Sequence, residues 1–201
     1  MKDKNWTGNS NSIYKTLGAS NHTDKDREEN DYYATDPIAA ELLLENEELS
    51  TIWEPSCGEG HLAEVFKKHN KLGCASDLVD RGYGNTRDLD FLKDKIDWHG
   101  DIVTNPPYKF AQAFIERAMD DIHIGRKICM FLKLQFMESK GRKELFRKYP
   151  PKTIYVSSSR ILCAKNGKFD EMKKAGGSAV AYAWYVWEKG YTGETILKWI
   201  N

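Results

Sequence analysis

The stretch Asn105-Pro106-Pro107-Tyr108 decides how the rest of the chain is interpreted. It follows a short apolar run, residues 101–104, which is typical of a β-strand. It precedes residues 109–121, in which apolar side chains recur at helical spacing. The tetrapeptide is therefore predicted at the carboxyl end of a strand, where open α/β sheets bind their ligands.

The chemistry of this tetrapeptide suits a planar ring that carries an amino group. Its two prolines fix φ and remove two backbone donors, so the loop is stiff. A stiff loop can aim the Asn105 side chain and the Pro106 carbonyl at one point, with the flat face of Tyr108 beside them. Two acceptors that hold the hydrogens of an aromatic amine free its lone pair for attack. A proline turn with a buried tyrosine is the alternative interpretation.

A second motif follows the first predicted strand, residues 51–53, and precedes a helix predicted over residues 61–70. It reads Glu54-Pro55-Ser56-Cys57-Gly58-Glu59-Gly60. A glycine-rich turn between a strand and a helix lets the backbone approach a nucleotide-like ligand. Gly58 and Gly60 carry no side chain that would block this approach. Glu54 can bind an ammonium group or a hydroxyl, and its charge disfavours a pyrophosphate.

Asp77 closes the next predicted strand, residues 72–77. An acid about 20 residues after a glycine turn is placed to hold a ribose diol. A solvated aspartate at a strand end is the alternative for this residue alone.

The remaining pattern consists of strands that alternate with helices. Asp36 is a predicted helix N-cap and Pro37 a first helical residue. The further predicted elements are a helix over 38–48, a strand over 127–132, a helix over 137–149, a strand over 153–156, a basic loop over 157–177, a strand over 179–188 and a strand or turn over 195–200. This order predicts a doubly wound α/β fold, mostly parallel, with an antiparallel hairpin at one edge of the sheet.

Composition limits the class of protein. The chain has 201 residues and a formal net charge of zero, but residues 133–201 hold 14 Lys and Arg against 6 Asp and Glu. A basic half suggests a polyanion partner, and an ordinary solvated surface is the alternative. The 4 cysteines form no Cys-x-x-Cys pair, so no metal site is predicted. Without a signal peptide or an apolar run of membrane-spanning length, a cytoplasmic location is expected.

The polar residues 1–30 are predicted to form an extended or disordered arm, and residues 31–201 a single domain. The motifs of that domain stand in the order found in S-adenosylmethionine-dependent DNA adenine-N6 methyltransferases. The chain resembles the small phage- and prophage-encoded members of that family, which implies that residues 31–201 form a methyltransferase catalytic domain without the large target-recognition domain of other relatives. The resemblance rests on Tyr33-Ala34-Thr35-Asp36-Pro37, the turn after Glu54, Asp77, Asp90-Phe91-Leu92 and Asn105-Pro106-Pro107-Tyr108.

The resemblance implies a seven-stranded Rossmann-like methyltransferase sheet and a role for each matching residue. Thr35 and Pro37 would close over the cofactor carboxylate, and Asp77 would hold its ribose. Asp90 and the Phe91 backbone would sit near its adenine. The methionine end would be lined by Glu54, Pro55, Cys57, Gly58 and Gly60.

On the target side, the resemblance implies that Asn105, Pro106, Pro107 and Tyr108 grip and stack an adenine flipped out of double-stranded DNA. Arg160 and Phe169, on the basic loop, are further candidates for contact with the substrate. The same tetrapeptide occurs in methyltransferases that act on RNA bases or on protein glutamine. A catalytically silent nucleic-acid-binding module is the alternative from a different class.

Overall fold

The computed structural model describes residues 32–84, 88–165, 167–174 and 177–201. The predicted N-terminal arm, residues 1–30, lies outside the described residues. The strands are β1 (Tyr33–Thr35), β2 (Ile52–Glu54), β3 (Leu72–Ala75), β4 (Asp101–Thr104), β5 (Lys127–Lys133), β6 (Thr153–Ser157), β7 (Cys163–Lys165), β8 (Tyr182–Glu188) and β9 (Ile196–Ile200). The helices are α1 (Ile38–Asn46), α2 (Ala63–Lys68), α3 (Ala111–Asp121), α4 (Lys143–Lys148) and α5 (Phe169–Lys174).

Seven of these strands form one sheet in the order β3-β2-β4-β5-β8-β6-β9. The neighbours β3–β2, β2–β4, β4–β5 and β6–β9 pair in parallel, whereas β8 is antiparallel to both β5 and β6. The α/β class and the mostly parallel seven-stranded sheet are thereby confirmed.

The edge of the sheet differs from the prediction, because β8 and β9 do not form a hairpin. Strand β8 instead lies between β5 and β6, and β9 occupies the edge. Burial explains this arrangement: β8 is buried at every position from Tyr182 to Trp187, so it needs partners on both sides. The first four residues of β9 are exposed, which suits an edge strand.

Strand β8 also shows why the fold is doubly wound. Its side chains alternate between two cores, with Trp184 packed on the side of α1 and Trp187 on the side of α3. Each indole N–H finds a backbone acceptor. Trp184 Nε1 donates to Ala39 O at 2.8 Å and Trp187 Nε1 to Tyr149 O at 3.0 Å. Both large rings are therefore buried without an unsatisfied donor.

Two other predicted segments differ from the structure. The predicted loop 157–177 contains β7 and α5, and β7 pairs antiparallel with β1 so that Thr35 faces Cys163. The predicted helix 137–149 is reduced to α4, after two 3-10 turns at Leu134–Met137 and Lys140–Arg142. In the described residues, the helices are too short or too polar to cross a membrane.

A polar network closes the amino-terminal edge of the parallel strands. Lys127 Nζ lies 2.5 Å from Glu47 Oε2, and the Tyr155 hydroxyl donates to Glu47 Oε1 at 2.6 Å. The Asp101 carboxylate accepts the amides of Ser50 and Lys127 at 2.6 and 2.7 Å. This network ties α1 to the sheet at one edge and leaves the carboxyl edge free for a pocket.

Candidate active site

A pocket of about 360 Å³ lies at the carboxyl ends of β2 and β4. These ends carry Glu54 and Asn105, so the two strongest sequence motifs share one cavity. The residues predicted for a site that line this pocket are Thr35, Glu54, Pro55, Cys57, Asp77, Asp90, Phe91, Asn105, Pro106, Pro107 and Tyr108.

The amide of Asn105 is held in one orientation. Its Nδ2 donates to Thr35 Oγ1 at 2.8 Å and to Tyr33 O at 3.4 Å. Its Oδ1 is buried and has no hydrogen-bond partner among the residues that the structure describes. Because the nitrogen is engaged by β1, the oxygen is the atom left to accept a hydrogen from a ligand.

Glu54 presents a second oxygen of this kind. Its side chain is buried, and Oε2 has no hydrogen-bond partner in the described parts of the chain. Burial raises the pKa of Glu54 well above its ordinary range, and the nearby Asp77 carboxylate raises it further. A cation bound here would relieve both effects, because it would pair the buried charge.

Asp77 holds the glycine-rich turn as well as lining the pocket. Its Oδ2 accepts the Gly58 amide at 2.8 Å, and its Oδ1 accepts the Val79 amide at 3.0 Å. Carboxylate oxygens have further lone pairs, so both can still accept a hydroxyl. Burial raises the pKa of the neighbouring Cys57 to about 12, so that residue stays a neutral thiol.

The two glycines of the turn do not line the pocket, because tyrosines cover them. Gly58 has a φ of 55°, and a Cβ there would lie 2.3 Å from the Tyr32 ring. Gly60 has a φ of 87°, and a Cβ there would lie 2.5 Å from the Tyr83 ring. These positions require glycine for backbone conformation and for packing of the protein's own rings.

Asp90 and Phe91 form the wall beyond Asp77. The Asp90 carboxylate lies 2.8 Å from Lys93 Nζ, and this hydrogen bond lowers the pKa of Asp90. The Phe91 ring packs against Trp53 and Phe114, with ring centroids 5.3 and 4.8 Å away. The side chain of Phe91 therefore belongs to the core.

The wall around Tyr108 is aromatic and basic. The Tyr108 ring stacks on Tyr182 with centroids 6.0 Å apart and planes at 30°. Lys133 Nζ lies over the Tyr108 ring, 4.8 Å from its centroid. The Tyr108 hydroxyl donates to Cys163 Sγ at 3.5 Å, and burial raises the pKa of Tyr108 well above its ordinary range.

Three further predicted residues lie outside the pocket lining. Pro37 is the N-cap of α1 rather than its first helical residue, which is Ile38, and the Pro37 carbonyl accepts the Ala40 amide at 3.0 Å. The exposed Arg160 donates to Ser178 O at 2.7 Å. Phe169 meets His61, a pocket residue that follows the glycine-rich turn, edge to face with ring centroids 5.5 Å apart.

Three residues in the walls of the site belong to none of the motifs that predict it: Tyr32, Lys133 and Tyr182. Ligands bind at the carboxyl ends of the strands in open α/β sheets, which is the basis for predicting Asn105. The same argument predicts Lys133, because it is the last residue of the parallel strand β5. Tyr182 begins β8, and the amino end of an antiparallel strand lies at the same edge. Tyr32 directly precedes the β1 motif.

No family model matches the chain, and no curated protein matches it. Solved structures do match. One is described as a class I S-adenosylmethionine-dependent methyltransferase from Listeria monocytogenes, with a TM-score of 0.54, 14% identity, and 81% of this chain and 62% of that chain covered. Another is described as an O-methyltransferase from Agrobacterium tumefaciens, with a TM-score of 0.55, 14% identity, and 82% and 85% covered.

A third similar structure is the M protein of the type I restriction enzyme EcoKI. Its TM-score is 0.55 at 14% identity, with 80% of this chain covered and 44% of that chain. The chain thus spans less than two thirds of the Listeria protein and under half of the EcoKI M protein. Together these similarities show that the chain has the fold of class I S-adenosylmethionine-dependent methyltransferases.

Proposed function

We propose that this protein transfers the methyl group of S-adenosylmethionine to the exocyclic N6 amine of adenine in DNA. One observation carries the proposal. Within the described residues, the same pocket holds two buried acceptor oxygens without partners, Glu54 Oε2 and Asn105 Oδ1. One is suited to the ammonium group of the cofactor and the other to the amine that receives the methyl group.

The donor set of the pocket fits this cofactor. Glu54 would hold the methionine ammonium, Asp77 the ribose hydroxyls and Asp90 the end near the adenine, while Thr35 would close over the carboxylate end. When bound, S-adenosylmethionine supplies a methyl group on a positively charged sulfur. Three carboxylates on this side of the pocket favour a ligand with two positive centres and disfavour a phosphate.

The chain's own residues would act by positioning the target. Asn105 Oδ1 accepts one hydrogen of the amine, and the Pro106 carbonyl accepts the other. Thr35 keeps the amide of Asn105 from turning, because it binds Nδ2 at 2.8 Å. With its lone pair freed, the amine nitrogen would receive the methyl group that bound S-adenosylmethionine supplies. The bond from that methyl carbon to sulfur would break, S-adenosylhomocysteine would be left, and the surplus proton of the amine would pass to solvent. No covalent enzyme intermediate is required, so most of the rate enhancement comes from orientation.

Several features favour a nucleic acid as the substrate, and the first of them favours DNA. The EcoKI M protein, which shares the fold, belongs to a restriction enzyme. Lys133 places a positive charge beside Tyr108, and the C-terminal part of the chain is basic. A base inside a duplex must be flipped out to reach such a pocket, at a cost of a few kcal/mol, which stacking on Tyr108 can partly offset.

Labelled-methyl transfer followed by mass spectrometry of nucleosides tests the proposal. The protein is incubated with methyl-labelled S-adenosylmethionine and, separately, with double-stranded DNA, RNA and a protein extract. N6-Methyladenine in the DNA is the expected result. Label only in RNA, or only on protein glutamine, would move the activity to that substrate. DNA binding without any label would indicate a catalytically silent module.

A further inference from the structure

We propose that Asp97, His99 and His123 form a binding site for a divalent transition-metal ion such as Zn²⁺. The three residues lie at the amino-terminal edge of the sheet. Asp97 and His99 precede β4, and His123 lies between α3 and β5. Asn105 follows the other end of β4, roughly 13 Å or more along the strand. The site is therefore separate from the pocket, and this proposal does not depend on the proposed function.

The three side chains lie close together. One ligand atom from each lies within 4.8 Å of the other two. His99 Nε2 is 3.3 Å from Asp97 Oδ2, and His123 Nε2 is 3.9 Å from Asp97 Oδ1. The two imidazole rings stack with centroids 4.6 Å apart and planes at 6°. Both Nε2 atoms thus face the same carboxylate from adjacent positions.

The backbone that presents His99 is anchored on both sides. Trp98 Nε1 donates to Asp101 O at 3.0 Å, and its ring packs near Trp53 with centroids 6.0 Å apart. Gly100 is buried, and a Cβ there would lie 2.0 Å from Thr51 O, so this segment lies tightly against the chain before β2.

The backbone that presents His123 is anchored in the same way. Ile122 is buried and its amide donates to Ala118 O at 3.0 Å, while His123 O accepts the Arg126 amide at 3.1 Å. The amide of Gly125 donates to Lys189 O at 2.9 Å. Because both backbones are fixed, little chain entropy is lost when the side chains close on an ion.

The donor set selects the class of metal. Two imidazole nitrogens and one carboxylate suit Zn²⁺, Co²⁺, Ni²⁺ or Cu²⁺, whereas Mg²⁺ and Ca²⁺ prefer sites made of oxygen. Rotation of the exposed rings would bring the ligand atoms to about 2.0–2.2 Å from the ion, with water completing the coordination. An ion held this way would join the segment before β4 to the turn before β5, and would stabilise the folded state by mass action.

Titration of the untagged protein with Zn²⁺ by calorimetry, and with Co²⁺ by visible absorption, tests the site. One ion per chain should bind and raise the melting temperature. His99→Gln and His123→Gln should each weaken binding about tenfold or more, since even outer contacts of a bound metal have effects of that size.

His69→Gln is the matched control. His69 is exposed and lies 2.6 Å from one carboxylate, Glu41, but no second histidine of the described chain joins that pair in a ligand cluster. This variant should bind the ion like the unmodified protein. Absence of saturable 1:1 binding, or binding that His99→Gln and His123→Gln leave unchanged, would overturn the proposal.

Discussion

At the scale of single residues, the orientation of the Asn105 amide gives the sharpest test of the proposed chemistry. Asn105→Ala removes the free acceptor Oδ1 while the carboxylates on the cofactor side remain. Loss of one preorganised group that stabilises a transition state lowers kcat by about 100-fold or more. We expect this loss of methyl transfer with nearly unchanged affinity for S-adenosylmethionine by calorimetry. Asn46→Ala, at an exposed asparagine that ends α1, should keep full activity.

The buried carboxylate of Glu54 predicts a conflict between stability and binding. Burial raises the pKa of Glu54 in the folded protein above its value in the unfolded chain. At a pH above the ordinary glutamate pKa, the free energy of ionising Glu54 is therefore less favourable in the folded state, which lowers the free energy of unfolding. This loss of stability becomes smaller as the pH falls. Glu54→Gln should therefore stabilise the ligand-free protein by about 1–3 kcal/mol at pH 8 and by less at pH 5. It should also weaken binding of S-adenosylmethionine.

Urea denaturation at the two pH values and calorimetry measure these effects of Glu54→Gln. Glu116→Gln, at an exposed position of α3, should change neither quantity. Equal destabilisation by Glu54→Gln at both pH values would contradict the assignment of a buried, unpaired carboxylate.

At the scale of elements, the ribbon of β1 and β7 holds the target side of the pocket in place. Thr35 on β1 binds Asn105 Nδ2, and Cys163 on β7 accepts the Tyr108 hydroxyl. Thr35→Val keeps the shape but removes the acceptor, and one hydrogen bond is worth about 0.5–1.5 kcal/mol. We expect a roughly tenfold lower rate of methyl transfer in a single turnover, with Thr35→Ser restoring it. Equal rates in Thr35→Val and Thr35→Ser would argue against this role.

Strand β5 has a lysine at each end, and only one of the two forms an ion pair with a carboxylate. Lys127 at the amino end pairs with Glu47, whereas Lys133 at the carboxyl end forms no ion pair in the described part of the chain. A half-buried lysine without a carboxylate partner, beside the proposed target pocket, is suited to a phosphate of the substrate strand.

Lys133→Gln should therefore raise the KM for DNA, leave kcat unchanged, and lower the slope of log affinity against log salt by about 1. Fluorescence anisotropy at several salt concentrations measures the slope. Lys198→Gln is the control, because Lys198 also lies over a tyrosine ring, that of Tyr155, but on the edge strand β9. An equal decrease in the salt-dependence slope for Lys133→Gln and Lys198→Gln would contradict a specific contact between Lys133 and the DNA.

At the scale of the whole molecule, the network around Glu47 joins α1, β5 and β6 at the edge away from the pocket. The side chains of Lys127 and Glu47 are 17% and 9% exposed, whereas those of Arg147 and Glu144 in a surface pair are 70% and 74% exposed. Glu47→Ala leaves the Lys127 ammonium and the Tyr155 hydroxyl without their carboxylate partner. It should therefore lower the free energy of unfolding by about 2 kcal/mol or more. Glu144→Ala should cost less than about 1 kcal/mol. Chemical denaturation compares the two, and similar losses would contradict the importance of the network.

The sequence predicted the parts of the molecule that depend on local signals. Glu54, Asp77 and Asn105 each lie at or just after the end of a short apolar run, which is a local sequence signal for the end of a strand. The lining of the pocket could therefore be predicted. The segment after Ser157 could not, because β7 is a strand only through pairing with β1, some 130 residues earlier in the chain. Likewise part of the need for glycine at Gly58 comes from the ring of Tyr32, a contact that no local sequence pattern predicts.

The place of β8 in the sheet has a consequence for how the chain is made. Ribosomes synthesise the polypeptide from its amino end, and β8 lies between β5 and β6 in the sheet. Neither β5 nor β6 can pair with β8 until the chain has emerged as far as Glu188. Until then both present open strand edges, which are prone to pair with other chains. Nascent chains stalled before Tyr182 should therefore aggregate or recruit chaperones more than chains in which all of β8, to Glu188, has emerged.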